Sequence, residues 1–125
     1  MATMIKFRAW EKATSSYRKV LEIEFYPDGE FKKVKVAGLQ RKGAITPDKL
    51  VLEQFTGLKD VNGKEIYEGD ILENRKYRSI VKFASGKFLA DLIETIQTFD
   101  LIGETHGSKV IGNVHENAEL LEEDK

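Results

Sequence analysis

Two kinds of chemistry are open to the side chains of this chain: carboxylates that could hold a divalent cation or move protons, and a basic loop that could hold phosphate. Glu65, Glu68 and Asp70 crowd around two turns, with Asp60 just ahead of them. Hard cations and general acid–base chemistry both draw on such oxygens. The spacing matches no EF-hand calcium loop. Asp60 beside Asn62-Gly63, and Asp70 directly after Gly69, read more simply as turn residues whose side-chain oxygens close the backbone. The two histidines, His106 and His115, stand apart, with no cysteine in the chain and no HxxxH spacing, which makes a poor zinc site. Neither has a serine or threonine placed beside it as a nucleophile. No catalytic residue, metal site or cofactor is assigned. The competing reading is an enzyme gathering Glu65, Glu68, Asp70 and His115 at one end of a small barrel.

The basic run Arg75-Lys76-Tyr77-Arg78 falls between two expected strands. Cations around an aromatic suit phosphate contact with base stacking, as small barrels provide for single strands. Arg41 and Lys42 extend the patch if their loop meets this one in space. The bland alternative is a solvated loop whose tyrosine covers the end of a barrel.

The elements that must position these residues are short and β-like. Residues 4–10 read as a strand with Ile5, Phe7 and Ala9 on one face and Lys6, Arg8 and Trp10 on the other. Residues 20–26 alternate Leu21, Ile23 and Phe25 against Glu22, Glu24 and Tyr26. Pro27-Asp28-Gly29 then predicts a turn, and residues 31–36 the returning strand of a hairpin. Phe31 is out of phase with Val34 and Val36, which predicts a bulge or a late start. Trp10, Phe7, Phe25 and Tyr26 are expected in a core rather than on a binding face. Residues 38–48 read as a loop, with a helical turn from Thr46-Pro47 as a secondary reading. A strand follows over 50–55.

The stretch from Gln54 to Ile71, QFTGLKDVNGKEIYEGDI, specifies backbone shape more than chemistry. Gly57, Gly63 and Gly69 supply left-handed conformations at sharp turns, with Asp60, Asn62, Tyr67 and Asp70 as their neighbours. From residue 66 onward the pattern is that of a small barrel. A strand begins at 71, another spans 79–83, a turn falls at 84–87, and a return strand covers 88–93. Residues 94–103 fit neither period. A closing strand spans 109–115, and 117–121 predict a short capped helical turn. Short strands with polar turns favour an all-β fold.

Composition narrows the class. The 41% hydrophobic content supports a core, and 33% charged residues a solvated surface. No apolar run approaches the roughly 20 residues of a membrane span. The opening Met1-Ala2-Thr3-Met4-Ile5-Lys6 lacks the pattern of a secretory signal, so a cytoplasmic protein is expected. A net charge of −1 argues against a globally basic nucleic-acid binder but leaves room for a local basic patch.

The glycine-rich run resembles the central motif of the YopX family of bacteriophage and prophage proteins. Ile5-Lys6-Phe7-Arg8-Ala9-Trp10 is similar to that family's opening, and VIGNVHENAELL over 110–121 to its closing VIGNIYENPELL. Glu11, Phe55, Val114, His115 and Ala118 depart from the family pattern, His115 being the one chemically distinct change. The resemblance implies a mainly β protein with an SH3-like barrel in its second half and no established activity. The combined expectation is a β-hairpin extension over 1–48 and an SH3-like β-barrel over 49–125. The function expected is a non-enzymatic binding or adaptor module in a bacterial host's cytoplasm. Its partner would be a phage or host protein, or nucleic acid, with a homo-oligomer as a structural alternative.

Overall fold

The computed structural model describes residues 6–37 and 44–121. The chain divides into two compact units, Met1–Gln54 and Phe55–Lys125. It is mainly β, with antiparallel pairing throughout.

In the first unit the strands are β1 (Phe7–Glu11), β2 (Ser16–Phe25), β3 (Phe31–Val36), the two-residue β4 (Ala44–Ile45) and the start of β5 (Leu50–Lys59). They lie in the order β4-β3-β2-β1-β5. A 3-10 turn at Pro47–Lys49, closed by Lys49 N–H donating to the Thr46 carbonyl (3.0 Å), leads into β5. That is the secondary reading of the sequence there. Ala9, Val34, Val36 and Leu50 form the core, with Val20, Ile23 and Leu52 packed on it.

The β2–β3 hairpin carries two register shifts, between Val20 and Glu22 and between Glu24 and Phe25. The second is the bulge expected from Phe31, which pairs with Phe25. The first was not legible in the alternation. It sets Val20 opposite Val36 and Ile23 opposite Val34, so Val20 packs on the core while Leu21 is 54% exposed. An inserted residue moves everything before it to the other face. The turn is as expected: Gly29 has φ +93°, and its N–H donates to the Tyr26 carbonyl (2.9 Å). The aromatic core expectation divides. Trp10 is buried edge-on against Tyr17, with ring centroids 5.0 Å apart. Phe25 and Tyr26 are exposed, and the Phe25 ring lies against Phe31 with centroids 5.2 Å apart.

On the other face of β1, the Arg8 Nε donates to Glu53 Oε1 (2.8 Å), the Tyr17 hydroxyl donates to the same oxygen (2.8 Å), and the guanidinium lies 4.4 Å from the Tyr17 ring centre. The carboxylate of Glu53 is thus buried with charge and hydrogen-bond partners, the condition on which such burial is tolerated.

In the second unit β6 (Glu65–Tyr67) pairs with the end of β5. Strands β7 (Asp70–Glu73), β8 (Arg78–Ala84), β9 (Lys87–Leu92), β10 (Thr98–Asp100) and β11 (Lys109–Asn113) form a sheet in the order β10-β9-β8-β7-β11. No pairing between β10 and β11 among the described residues closes this sheet into a barrel. Ile66, Leu72, Val81, Ala90 and Leu101 make the core, supported by Leu58, Phe88 and Val110. Each such side chain contributes about 1.5–3 kcal/mol of burial, less for alanine. The segment that fitted neither period resolves into bends, the short β10 and a 3-10 turn at Leu101–Gly103. The turn drives Leu101 into the core with no exposure. Among the described residues no helix is long and apolar enough to cross a membrane.

Candidate functional site

The glycine-rich motif is a backbone clamp. Gly57, Gly63 and Gly69 have φ of +84°, +83° and +84°, where a Cβ would be strained. Asp60, 7% exposed, uses both carboxylate oxygens. Oδ1 accepts from the backbone N–H groups of Asn62 and Lys64 (2.8 Å each), and Oδ2 from Val110 N–H (2.9 Å). One side chain therefore closes the β5–β6 turn and ties it to β11. Burial alone would raise its pKa; the donors from Val110, Lys64 and Asn62 outweigh that and hold the carboxyl below the ordinary aspartate value. Asp70, also buried, accepts the Tyr67 N–H at Oδ2 (2.8 Å), while the Tyr67 ring packs on Phe55 at 5.4 Å. At the corner, Gly69 N–H donates to the Val81 carbonyl, and the Gly69 carbonyl accepts from Val114 (2.9 Å each).

The closing motif is a second clamp. Asn113 Oδ1 accepts from the N–H groups of His115 (3.0 Å) and Glu116 (2.9 Å), and its Nδ2 donates to Glu116 Oε1 (2.8 Å). Asn117 precedes the 3-10 turn at Ala118–Leu121; its carbonyl accepts from Leu120 N–H (2.9 Å), and its side-chain Oδ1 reaches back to accept from Asn113 N–H (3.2 Å). That amide lies over Gly112, where a Cβ would clash with the Asn117 side chain.

The basic loop joins β7 to β8. Asn74 Oδ1 accepts the N–H groups of Lys76 (2.8 Å) and Tyr77 (2.9 Å), and Asn74 N–H donates to the Tyr77 carbonyl (3.1 Å). This turn holds Arg75 and Lys76 out in solvent. Tyr77 is committed elsewhere. Its hydroxyl donates a short hydrogen bond to Glu104 Oε1, which raises the phenol's pKa, and its ring packs on Phe99 at 5.8 Å. Arg78 pairs with Glu73 (3.3 Å) and reaches the Leu120 carbonyl (3.5 Å). Arg41 and Lys42 lie outside the described residues, so their part in the patch has no structural counterpart here.

Two hollows flank Arg75. One, of about 300 Å³, is lined by Val61, Glu73, Asn74, Arg75, Gly107 and Lys109. The other, of about 190 Å³, runs along residues 73–78 and reaches Glu94. Sequence reasoning missed Lys109, which only strand pairing brings opposite Glu73. It also missed Glu104, far along the chain from Tyr77. Asn74 was legible in principle, since an asparagine before two polar residues is a turn signal.

The carboxylates of the competing enzyme reading do not line these hollows. Asp70 serves the backbone, Glu65 lies opposite Lys59 in the β5–β6 pairing, and His115 donates its backbone N–H to Asn113. His106 is exposed. Among the described residues no three His, Cys, Asp or Glu side chains are grouped to hold a metal ion.

The sequence profile described as "YopX protein" matches residues 6–122, nearly the whole chain and both clamps. The chain belongs to the YopX family. Of solved structures, the protein EF1440 of Enterococcus faecalis matches 97% of this chain and 100% of its own, at 28% identity and a TM-score of 0.71. The yopX protein of Bacillus subtilis matches 95% of this chain and 97% of its own, at 19% identity and a TM-score of 0.63, a likeness of fold. No curated protein matches the chain significantly. The matched span contains Gly57, Asp60, Gly69 and Asn113, the residues that fix the backbone in the two clamps.

Proposed function

We propose that this YopX-family protein is a non-enzymatic binding module that engages an anionic partner macromolecule through the loop end of its second unit. A phage or prophage origin and a place in the bacterial host's cytoplasm belong to the same proposal. So does the view of that unit as an SH3-like barrel open along one seam. The observation that carries the reading is the pair Arg75 and Lys76, whose side chains have no partner among the described residues. Both stand in solvent on a turn fixed by Asn74 and border concave surface, while the motif carboxylates Asp60 and Asp70 are bound to backbone N–H groups. Fixed turns presenting exposed charge are how a rigid scaffold positions a contact surface.

Crosslinking and pull-down from host bacterial cells, with and without nuclease, tests this against the double charge reversal R75E/K76E. The expected result is capture by the parent protein that the reversed variant loses. Equal capture by both proteins would refute the reading.

A homo-oligomeric assembly is the second reading, favoured by the exposed Phe25, Tyr26 and Phe31 at the end of the β2–β3 hairpin. Sedimentation of the parent protein against F25S/F31S decides it: a shift toward smaller species on substitution supports assembly.

A further inference from the structure

We infer that the ligand of the loop end is the phosphodiester backbone of duplex nucleic acid, contacted by Lys109, Arg75 and Lys76 across the two hollows without base stacking. This rests on the binding-module reading above and names its partner class.

The arrangement of charge is the first argument. Arg75 borders both hollows, Lys109 borders only the larger, and Lys76 and Arg78 border only the smaller. Each hollow thus has cations around it, with one shared between them. Glu73, the acid common to both, is answered by Arg78 at 3.3 Å and lies opposite Lys109 in the β7–β11 pairing. Glu94 is the other acid lining the smaller hollow, and Glu104 is engaged by the Tyr77 hydroxyl. Four cations against Glu73 and Glu94 leave the surface positive in a chain whose net charge is −1.

Size is the second argument. Pockets that enclose small molecules run from about 300 Å³ upward. One hollow is at that floor and the other is below it. Two adjoining shallow hollows suit a polymer lying across them better than an enclosed metabolite.

The third argument selects duplex over single strand. Single-strand binders gain about 1–3 kcal/mol per base from stacking on aromatic rings. Among the described residues Tyr77 is the only aromatic lining either hollow, and its ring and hydroxyl are taken by Phe99 and Glu104. With stacking unavailable, phosphate contact remains, and a duplex offers about twice the charge per unit length of a single strand.

Fluorescence anisotropy of the full chain with a short mixed-sequence DNA duplex, and with one of its strands alone, tests the inference. Three phosphate contacts predict a slope of about −2.7 for log affinity against log salt, a loss of roughly 40-fold between about 50 and 200 mM. K109A or R75A should each flatten this to about −1.8, a loss of roughly 12-fold. E94Q should tighten binding, a gain that misfolding cannot mimic. The single strand should bind more weakly than the duplex. No duplex binding at the lowest salt, tighter single-strand binding, or an unchanged slope in K109A would each overturn the inference. If duplex binding is absent yet R75E/K76E still abolishes cellular capture, the binding-module reading survives with an acidic protein as partner. If capture is also unaffected, both fail.

Discussion

Replacing Asp60 with alanine separates a structural motif from a chemical one. The substitution removes the acceptor of three backbone N–H groups, those of Asn62, Lys64 and Val110. Asn62 and Lys64 are exposed, so water can take over part of their loss, at about 1 kcal/mol each. Val110 is half-buried against the core, and its stranded N–H costs about 1.5–2 kcal/mol. The sum is about 3.5–4 kcal/mol. At roughly 3–5 °C per kcal/mol for a chain of this size, the melting temperature should fall by about 10–20 °C. D28A supplies the comparison, because Asp28 accepts a single N–H, from Glu30, on an exposed turn and should cost about 0.5 kcal/mol. Circular-dichroism melts of both variants give the difference. The pH dependence gives an independent check. Asp60 is held below its ordinary pKa in the folded state, so its ionised form contributes stability above the unfolded value near 4. That contribution is lost as pH falls through the lower folded value. D60N, which resembles the protonated acid, should therefore be less stable than the parent at pH 7, and the gap should narrow below about pH 4. A D60A cost under about 1 kcal/mol, or a parent–D60N gap that does not change with pH, would refute the clamp.

Other substitutions probe the remaining clamps and cores. G112A should cost about 2 kcal/mol by displacing the Asn117 amide from Asn113 N–H, and G112A/N117A should cost less than the sum of its singles in urea titrations. E53A should destabilise by about 3–5 kcal/mol, because it leaves the Arg8 charge and Tyr17 hydroxyl without their shared acceptor, whereas Y17F should cost about 1 kcal/mol. L101A should cost about 2–5 kcal/mol by thermal melt, despite lying in a segment without periodicity. Y77F keeps the ring on Phe99 and should leave duplex binding unchanged while lowering stability by about 1 kcal/mol; a loss of binding would return the tyrosine to the contact surface.

Much of the local structure was legible. Gly57, Gly63 and Gly69 announced left-handed turns, because no side chain but hydrogen is at ease there, and Asp60 and Asp70 announced the oxygens that close them. Phe31's broken phase announced one bulge. The β2–β3 turn and the β8–β9 hairpin also follow from local patterns, whereas the β1–β2 pairing through residues 16–19 was not read from them. The other bulge, at Leu21, was hidden because Leu21, Ile23 and Phe25 alternate cleanly. Only the partner strand shows that the sheet accepts Val20 instead. Leu101 was hidden for a related reason: a three-residue 3-10 turn carries too few positions to establish a period.

The sequence by itself determined a β protein of short strands, the positions of its sharp turns, the family motifs and the basic loop. These are encoded by neighbouring residues through backbone sterics and alternation. The tertiary structure decided which polar groups are spent. Glu104 reaches Tyr77 across 27 positions and takes its hydroxyl, and Val110 reaches Asp60 across 50 and helps occupy its carboxylate. Strand pairing sets Lys109 opposite Glu73 and brings it to the hollow beside Arg75. Availability for binding depends on such distant partners, since a side chain satisfied inside the fold has little left to offer a ligand.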